Sequence, residues 1–288
     1  MSFVILTEAT CDLSHEQLAS ANVYCLPLGA TLGELSYKHY ADEREMSSVD
    51  FYTRLRAGEM TSTSAVNVGE WTEAMEANLE NGSEILVVAF SSGLSSTYQN
   101  ACLAASEVME KHPGCRIEVV DTLAASAGEG LLVLEAVRLR DEGKTLDEAA
   151  AELRALVPKT IQWFTVDDLH HLRRGGRVSA ATAVVGSALG IKPVLHVDDE
   201  GHLINMIKAR GRKKSLLALR DVLAERITRK EGNVLISHAD CYDDAKFLAD
   251  EILKVCPKAN IIINMIGPII GGHAGANTVA MFFIGEGR

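Results

Sequence analysis

The sequence predicts an α/β protein of two α/β domains, an N-terminal doubly wound parallel sheet over residues 1–158 and a C-terminal mixed α/β domain over 159–288. Three observations carry this expectation. The chain has 288 residues, and a single core rarely grows beyond about 250–300. In the first half, short apolar runs alternate with helical patterns, as in a parallel sheet with crossover helices. Beyond Pro158 strand-like runs crowd together, and one pair is separated only by the turn-forming DDEGH of residues 198–202.

Taken in order, Phe3 to Thr7 is a short buried-strand run, and Ser14 with Gln17 forms a capping box for the next helix. Residues 23–45 are polar and irregular, with a strand expected near Tyr24–Leu28. Ser48 opens a short helix through Phe51, Tyr52 and Leu55 that Gly58 closes. Trp71, Met75 and Leu79 mark one face of a further helix, ended by Gly82. Ile85 to Phe90 and Ile117 to Val120 read as strands, each followed by a turn and a helix. Thr145 with Glu148 makes a second capping box before an Ala/Leu-rich helix. In the second domain, strands are expected at 161–166, 193–197, 203–208, 234–237, 261–266 and 279–284. Helices are expected at 178–189, 213–229 and 242–255.

Composition excludes several roles. Hydrophobic residues at 47% and charged residues at 23% are those of an ordinary globular chain. A net charge of −11 disfavours nucleic acid, which needs clustered Lys and Arg. Cys11, Cys25, Cys102, Cys115, Cys241 and Cys256 form no C-x-x-C pair and no zinc spacing, so they read as reduced thiols of a cytoplasmic protein. No metal site is legible. The start, MSFVILTEATCDL, lacks the basic region of a signal peptide. The longest uncharged stretch, from Ala259 to Gly285, is broken by Asn260, Asn264, Pro268, His273 and several glycines. Two buried strands around a glycine-rich loop explain it better than a membrane span.

Five segments could carry chemistry. Ser91-Ser92-Gly93-Leu94-Ser95-Ser96-Thr97 follows a strand and opens a helix, where free N–H groups and hydroxyls can hold an anionic oxygen. A serine-rich helix cap would read the same. Thr61-Ser62-Thr63-Ser64 suits a loop between helices, solvated or ligand-binding. In the run from Arg173 to Ser179, Gly175 and Gly176 allow close backbone approach and Arg177 could face a carboxylate or phosphate. His273 is the one ionisable side chain of the glycine-rich 267–275 segment. Between Lys208 and Lys214, five of seven residues are basic, which suits either a solvated turn or a patch for an acidic partner.

Together these segments resemble the DegV family of fatty-acid-binding proteins. ILTEATCDL, MTSTS, SSGLSSTYQNA, VVDTLAASAGEG, HLRRGGRVSAATAVVGSALGIKPVL, IKARGRKKSL and IGPIIGGHAG run in the family's order along nearly the whole chain. The resemblance implies a bacterial lipid-binding protein with an apolar tunnel between its domains and a long-chain fatty acid in it. It implies no catalytic residue and no cofactor. The bound acid would be presented to a separate fatty acid kinase for acyl-phosphate formation in phospholipid metabolism, with transient membrane contact. Carried onto this chain, the carboxylate would be held by Thr61 and Ser62, by Ser92 with Ser95, and by His273. Arg177, Gly93 and Gly272 would stand near the tunnel mouth, and Arg210, Arg212 and Lys213 would dock the kinase. The chain departs from the family pattern at Glu8 (for Asp), in MTSTSA (for T-S-Q-P-S), at Ser96 (for Gly) and in HAGAN (for H-T-G-P-G).

The physics of such a ligand suits this composition. Each buried methylene contributes about 0.8 kcal/mol, on the order of 10 kcal/mol for a long tail before ordering costs. Hydroxyls, helix-end N–H groups and one His can satisfy a carboxylate. One alternative is a serine hydrolase using Ser92 or Ser95 with His273 and Asp121 as the acid, although SSGLS is not G-x-S-x-G. A nucleotide-binding protein is a second alternative, without a G-x-G-x-x-G or P-loop motif to support it.

Overall fold

Helices on both faces cover a four-stranded parallel sheet of order β2-β1-β6-β7, built from β1 (Val4–Glu8), β2 (Val23–Leu26), β6 (Glu84–Ala89) and β7 (Arg116–Asp121). The computed structural model describes residues 3–79, 84–179 and 190–287. Along β6, Ile85, Val87 and Ala89 face one core, shared with α2 (Ser48–Arg56), α3 (Val68–Ala77) and α4 (Thr97–Lys111). Leu86 and Val88 face the other, shared with α1 (His15–Ser20), α5 (Ala127–Asp141) and α6 (Leu146–Leu156). Burial on both faces explains why the strand reads as an unbroken apolar run.

The second sheet is mixed and six-stranded, of order β10-β9-β8-β13-β11-β12. Its strands are β8 (Thr160–Thr165), β9 (Ile191–Val197), β10 (Leu203–Arg210), β11 (Asn233–His238), β12 (Asn260–Met265) and β13 (Val279–Ile284). All neighbours are antiparallel except β11 and β12. The turn at 198–202 joins β9 to β10 as an antiparallel hairpin. A short α7 (His170–Arg174) follows β8. One face of the sheet packs against α8 (Arg212–Arg226) and α9 (Tyr242–Val255). The other presents Leu235, Ala280, Phe282 and Ile284 to α5, so that helix lies between the two sheets. Buried residues surround α5 on all sides, from Ala127 to Leu139. An all-round apolar helix of this kind needs a partner on each face.

The capping boxes at Ser14–Gln17 and Thr145–Glu148 both form, and Asn67 with Glu70 makes a third. The helix opened near Ser48 has Ser47 as its cap, one residue earlier than expected. A larger correction concerns residues 23–45 and 61–64. Beyond β2 they hold β3 (Leu28–Leu32), β4 (Leu35–His39) and β5 (Thr61–Thr63), a three-stranded antiparallel sheet of order β4-β3-β5. The supposed loop at Thr61–Ser64 is therefore largely an edge strand. It was masked in sequence by hydroxyl residues, which pair edge to edge as readily as they solvate a loop. Gly82, and the 180–189 part of the helix expected at 178–189, lie outside the described residues.

Candidate functional site

Three parallel strands end against one cavity. Glu8 closes β1, Phe90 follows β6, and Ala125 and Ser126 follow β7, and all four line a space of about 240 Å³. Ligands of open α/β sheets bind beyond the carboxyl ends of the strands. The opposite wall is the inner face of the mixed sheet, with Gln162 and Phe164 from β8 and Ala280 and Phe282 from β13. A third wall is α10 (Pro268–Ala274), which contributes Ile269, Ile270 and His273. Most of this lining is apolar.

The polar groups gather beside His273. Its Nε2 lies 2.8 Å from Thr63 Oγ1. Its Nδ1 is buried, has no hydrogen-bond partner, and packs directly on Gly175, where a β-carbon would collide with the ring. Burial, with the nearby Arg177 charge, lowers the His273 pKa to about 4. The ring is therefore neutral near pH 7. The Arg177 guanidinium lines the cavity and donates to the carbonyls of Gly175 and, at 3.1 Å, Leu94. Ser64 and Ser95 line the same space. Ser95 Oγ accepts only a long bond of 3.3 Å from the Thr97 amide, so its proton is available to a ligand.

Close packing holds α10 in place. Gly271 lies flush on the buried Tyr52 ring, whose hydroxyl donates to the Ile266 carbonyl at 2.8 Å. Gly272 lies on the Thr61 methyl, 3.0 Å from where a β-carbon would sit. A side chain at Gly271 would push the helix, and His273 with it, away from α2, and one at Gly272 away from β5.

Of the residues expected from sequence, Ser95, Arg177 and His273 come together in the cavity lining, while Thr61, Ser62, Ser92, Gly93 and Gly272 stand outside it. Thr61 Oγ1 is buried without a partner. Ser62 shares a 2.8 Å hydrogen bond with Thr31 Oγ1 on the exposed side of its sheet. The Ser92 amide donates to Asp121 Oδ1 at 3.2 Å, and Gly93 backs onto the Glu200 carbonyl. Thr63 and Ser64, two residues further along the same segment, line the cavity. The hydrolase alternative fails on this geometry. One nitrogen of His273 faces Thr63 and the other Gly175, so neither Ser92 nor Ser95 is placed to be activated. Asp121 is occupied by the amides of Ser92 and Leu123.

The basic run divides. Arg210 is exposed, and Lys213 sits 5.4 Å above the Phe247 ring. Arg212, expected at a docking surface, is turned inward. It donates to Asp244 at 2.8 Å and to the Asn277 carbonyl at 2.6 Å, and its Nη1 is buried. It ties α8 to α9 and to the turn after α10, and is not free for a partner.

Sequence reasoning also missed a set of buried carboxyls, with Glu8 in the cavity lining and Asp12 and Glu129 outside it. Glu8 accepts from the Phe90 amide at 3.0 Å and the Thr97 hydroxyl at 2.8 Å. Asp12 accepts from the Ser126 hydroxyl and, at 2.9 Å, the Gly267 amide. Burial raises the pKa of each to about 7. Glu129, held by the hydroxyls of Thr7 and Thr10 at 2.9 Å each, is raised well above the usual range by burial and by the Glu8 charge. An acid two residues past an apolar strand normally reads as a solvated strand end, so sequence offers no signal for its burial. Among the described residues, one group could hold a metal ion, namely Asp198, Glu200 and His202 in the hairpin turn. None of the three lines the cavity, and Asp198 Oδ1 already accepts from the amides of Glu200 and His202. No helix among the described residues is long and apolar enough to cross a membrane.

Comparison with known proteins gives consistent matches. Residues 2–286 match the family model described as "Uncharacterised protein, DegV family". The DegV domain-containing protein CPE0026 of Clostridium perfringens is 42% identical over 99% of this chain and 98% of its own length. A DegV family protein from Thermus thermophilus, described for its fatty acid binding, is 30% identical, with a TM-score of 0.86 over 98% of this chain and 99% of that one. The Streptococcus pneumoniae Fatty Acid Kinase (Fak) B3 protein, solved loaded with linoleic acid, has the same fold. Its TM-score is 0.86 over 99% of each chain, at 23% identity.

Proposed function

This chain belongs to the DegV family, and we propose that it binds a long-chain fatty acid in the cavity between the parallel and mixed sheets, as a carrier and not as an enzyme. The observation that carries the reading is the asymmetry of the lining. Hydroxyls of Thr63, Ser64 and Ser95, the Arg177 guanidinium and neutral His273 meet on one side, and aromatic and aliphatic side chains make up most of the rest. A carboxylate takes the donors, and the chain takes the apolar walls. The fatty acid binding described for the Thermus thermophilus relative supports the ligand class.

The finer parts of the proposal rest on the family's sequence motifs. The bound acid is presented to a separate fatty acid kinase, with Arg210 and Lys213 as exposed docking charges, and the protein works in the cytoplasm with its cysteines reduced. Residues 1–158 and 159–288 form the two domains. In support, β7 and β8 on either side of that boundary belong to different sheets.

Mass spectrometry of the organic extract from protein purified without added lipid tests the core reading. A stoichiometric long-chain acid is expected. An empty extract, with no uptake of oleate or palmitate afterwards, overturns it.

A further inference from the structure

We propose that Gln162 sets the acyl chain length this protein accepts, by forming the fixed end wall of the cavity. The inference rests on the fatty-acid reading above and adds a specificity-determining residue to it.

The cavity follows β13. Thr278, just before that strand, and Ala280 and Phe282 within it all line the space, every second residue on one face. At the near end, the Thr278 hydroxyl donates to the carbonyl of Ala274, the neighbour of His273. At the far end, Phe282 pairs in register with Gln162 on β8. Four residues of strand span about 14 Å. With carbon–carbon bonds of about 1.5 Å in a zigzag, that reach holds roughly ten methylenes in a straight chain.

Gln162 is unusual among the residues at that far end. It is polar, 2% exposed, and hydrogen-bonded through both ends of its amide. Its Oε1 accepts from the Ala125 amide at 3.1 Å, and its Nε2 donates to the Leu123 carbonyl at 3.1 Å. Both partners lie in the loop after β7, so this side chain crosses from the mixed sheet to the parallel-sheet lobe. Swinging it aside would leave two backbone groups unpaired. It cannot retreat either. A β-carbon at Gly128 of α5 would lie 2.6 Å from Gln162 Oε1 and 2.9 Å from Phe282 Cδ1. Beside it, Ser126 is anchored by Asp12. The side walls of the cavity are apolar and can shift, while this end is pinned by hydrogen bonds and backed by a helix. A methyl terminus stops there, and a longer chain must bend.

The test is a ladder of affinities for saturated acids from about ten to about eighteen carbons, measured on delipidated wild type, Gln162→Ala, Phe282→Leu and Gly128→Ala. Each methylene that gains burial is worth about fourfold in affinity. In the wild type, affinity climbs with chain length and then levels off. In Gln162→Ala the climb continues for at least two further carbons, so its preference for longer acids rises more than tenfold. Phe282→Leu keeps both Gln162 hydrogen bonds and shifts the plateau the same way by less, which decides the matter if Gln162→Ala fails to fold. Gly128→Ala pushes the wall inward and shifts the plateau to shorter acids. A folded Gln162→Ala or Phe282→Leu protein whose ladder superposes on the wild type overturns the assignment while fatty-acid binding stands. A wild type that binds no acid of any length overturns both.

Discussion

Thr63 Oγ1 lies 2.8 Å from His273 Nε2, joining an edge strand of the small antiparallel sheet to the helix after β12. The two residues are 210 positions apart, and the contact orients the ring. With His273 Nδ1 packed on Gly175, a ligand carboxylate would meet the hydroxyls of Thr63, Ser64 and Ser95 and the Arg177 guanidinium, which line the same cavity.

Thr63→Val is therefore expected to weaken fatty acid binding by about 1–3 kcal/mol, the loss of one bond to a charged group with its partner left unpaired. Thr61→Val should leave affinity within error. It should hold or slightly raise the melting temperature, because Thr61 Oγ1 is buried without a partner. Calorimetric titration and thermal melts of the two variants separate these roles, and equal losses of affinity would return Thr61 to the head-group set.

Arg177→Gln should weaken binding by a comparable or larger amount, since the neutrality of buried His273 leaves Arg177 as the full positive charge among the described residues of the cavity lining. The pKa of Arg177 is itself lowered by burial, and a half-buried charge is only partly screened by salt. Wild-type affinity should thus fall little as salt increases. A steep salt dependence would indicate that surface charge, and not Arg177, attracts the acid.

Stability should depend on pH through Asp12. Burial raises its folded pKa to about 7 from a usual value near 3.8, so the folded chain holds a proton that the unfolded chain has released. The stabilisation is complete below about pH 4 and is lost as pH rises through 7, a change on the order of 4 kcal/mol. Asp12→Asn keeps acceptor and donor in place, and urea unfolding at several pH values should show a correspondingly flatter profile between pH 4 and 7. An unchanged slope would mean that Asp12 titrates normally.

Arg212→Ala should destabilise the protein by about 1–3 kcal/mol, because it strips partners from Asp244 and the Asn277 carbonyl. Arg210→Ala and Lys213→Glu should leave the melting temperature nearly unchanged and reduce any phosphorylation of the bound acid's carboxylate by a kinase. Loss of phosphorylation in none of these variants would remove the basic run from the partner surface.

Much of the fold could be read from the chain because its signals are local. Period-two and continuous apolar runs gave β1, β6, β7 and the six later strands, and the two capping boxes formed where Ser14 and Thr145 stand. The antiparallel sheet of β3, β4 and β5 was missed because its strands are short, with Gly29 inside β3, and β5 is three hydroxyl residues long. At the site, the motif expected to matter is the one that meets His273, and within it Thr63, not Thr61, makes the contact. MTSTSA contains Thr-Ser twice, and the two copies have the same local chemistry. Only the distant His273 distinguishes them. Arg212 failed for a related reason: a cation in a basic run looks exposed until Asp244 and Asn277 are brought beside it by other elements. The buried carboxyls of Glu8, Asp12 and Glu129 follow from contacts distant in sequence, within the first lobe for Glu8 and Glu129 and across to Gly267 for Asp12, which no local pattern encodes.

The position of α5 between the sheets has a consequence for biosynthesis. Phe3, near the start of the chain, and Ile284, near its end, belong to the same core around that helix. On the ribosome α5 is complete long before β11 and β13 emerge, so the flank that they cover faces water while the rest of the chain is made. That bare apolar flank is a natural holding surface for a chaperone and a point of vulnerability to aggregation. It also means that a stop codon before residue 279 would yield a chain in which even the first lobe is left unfinished.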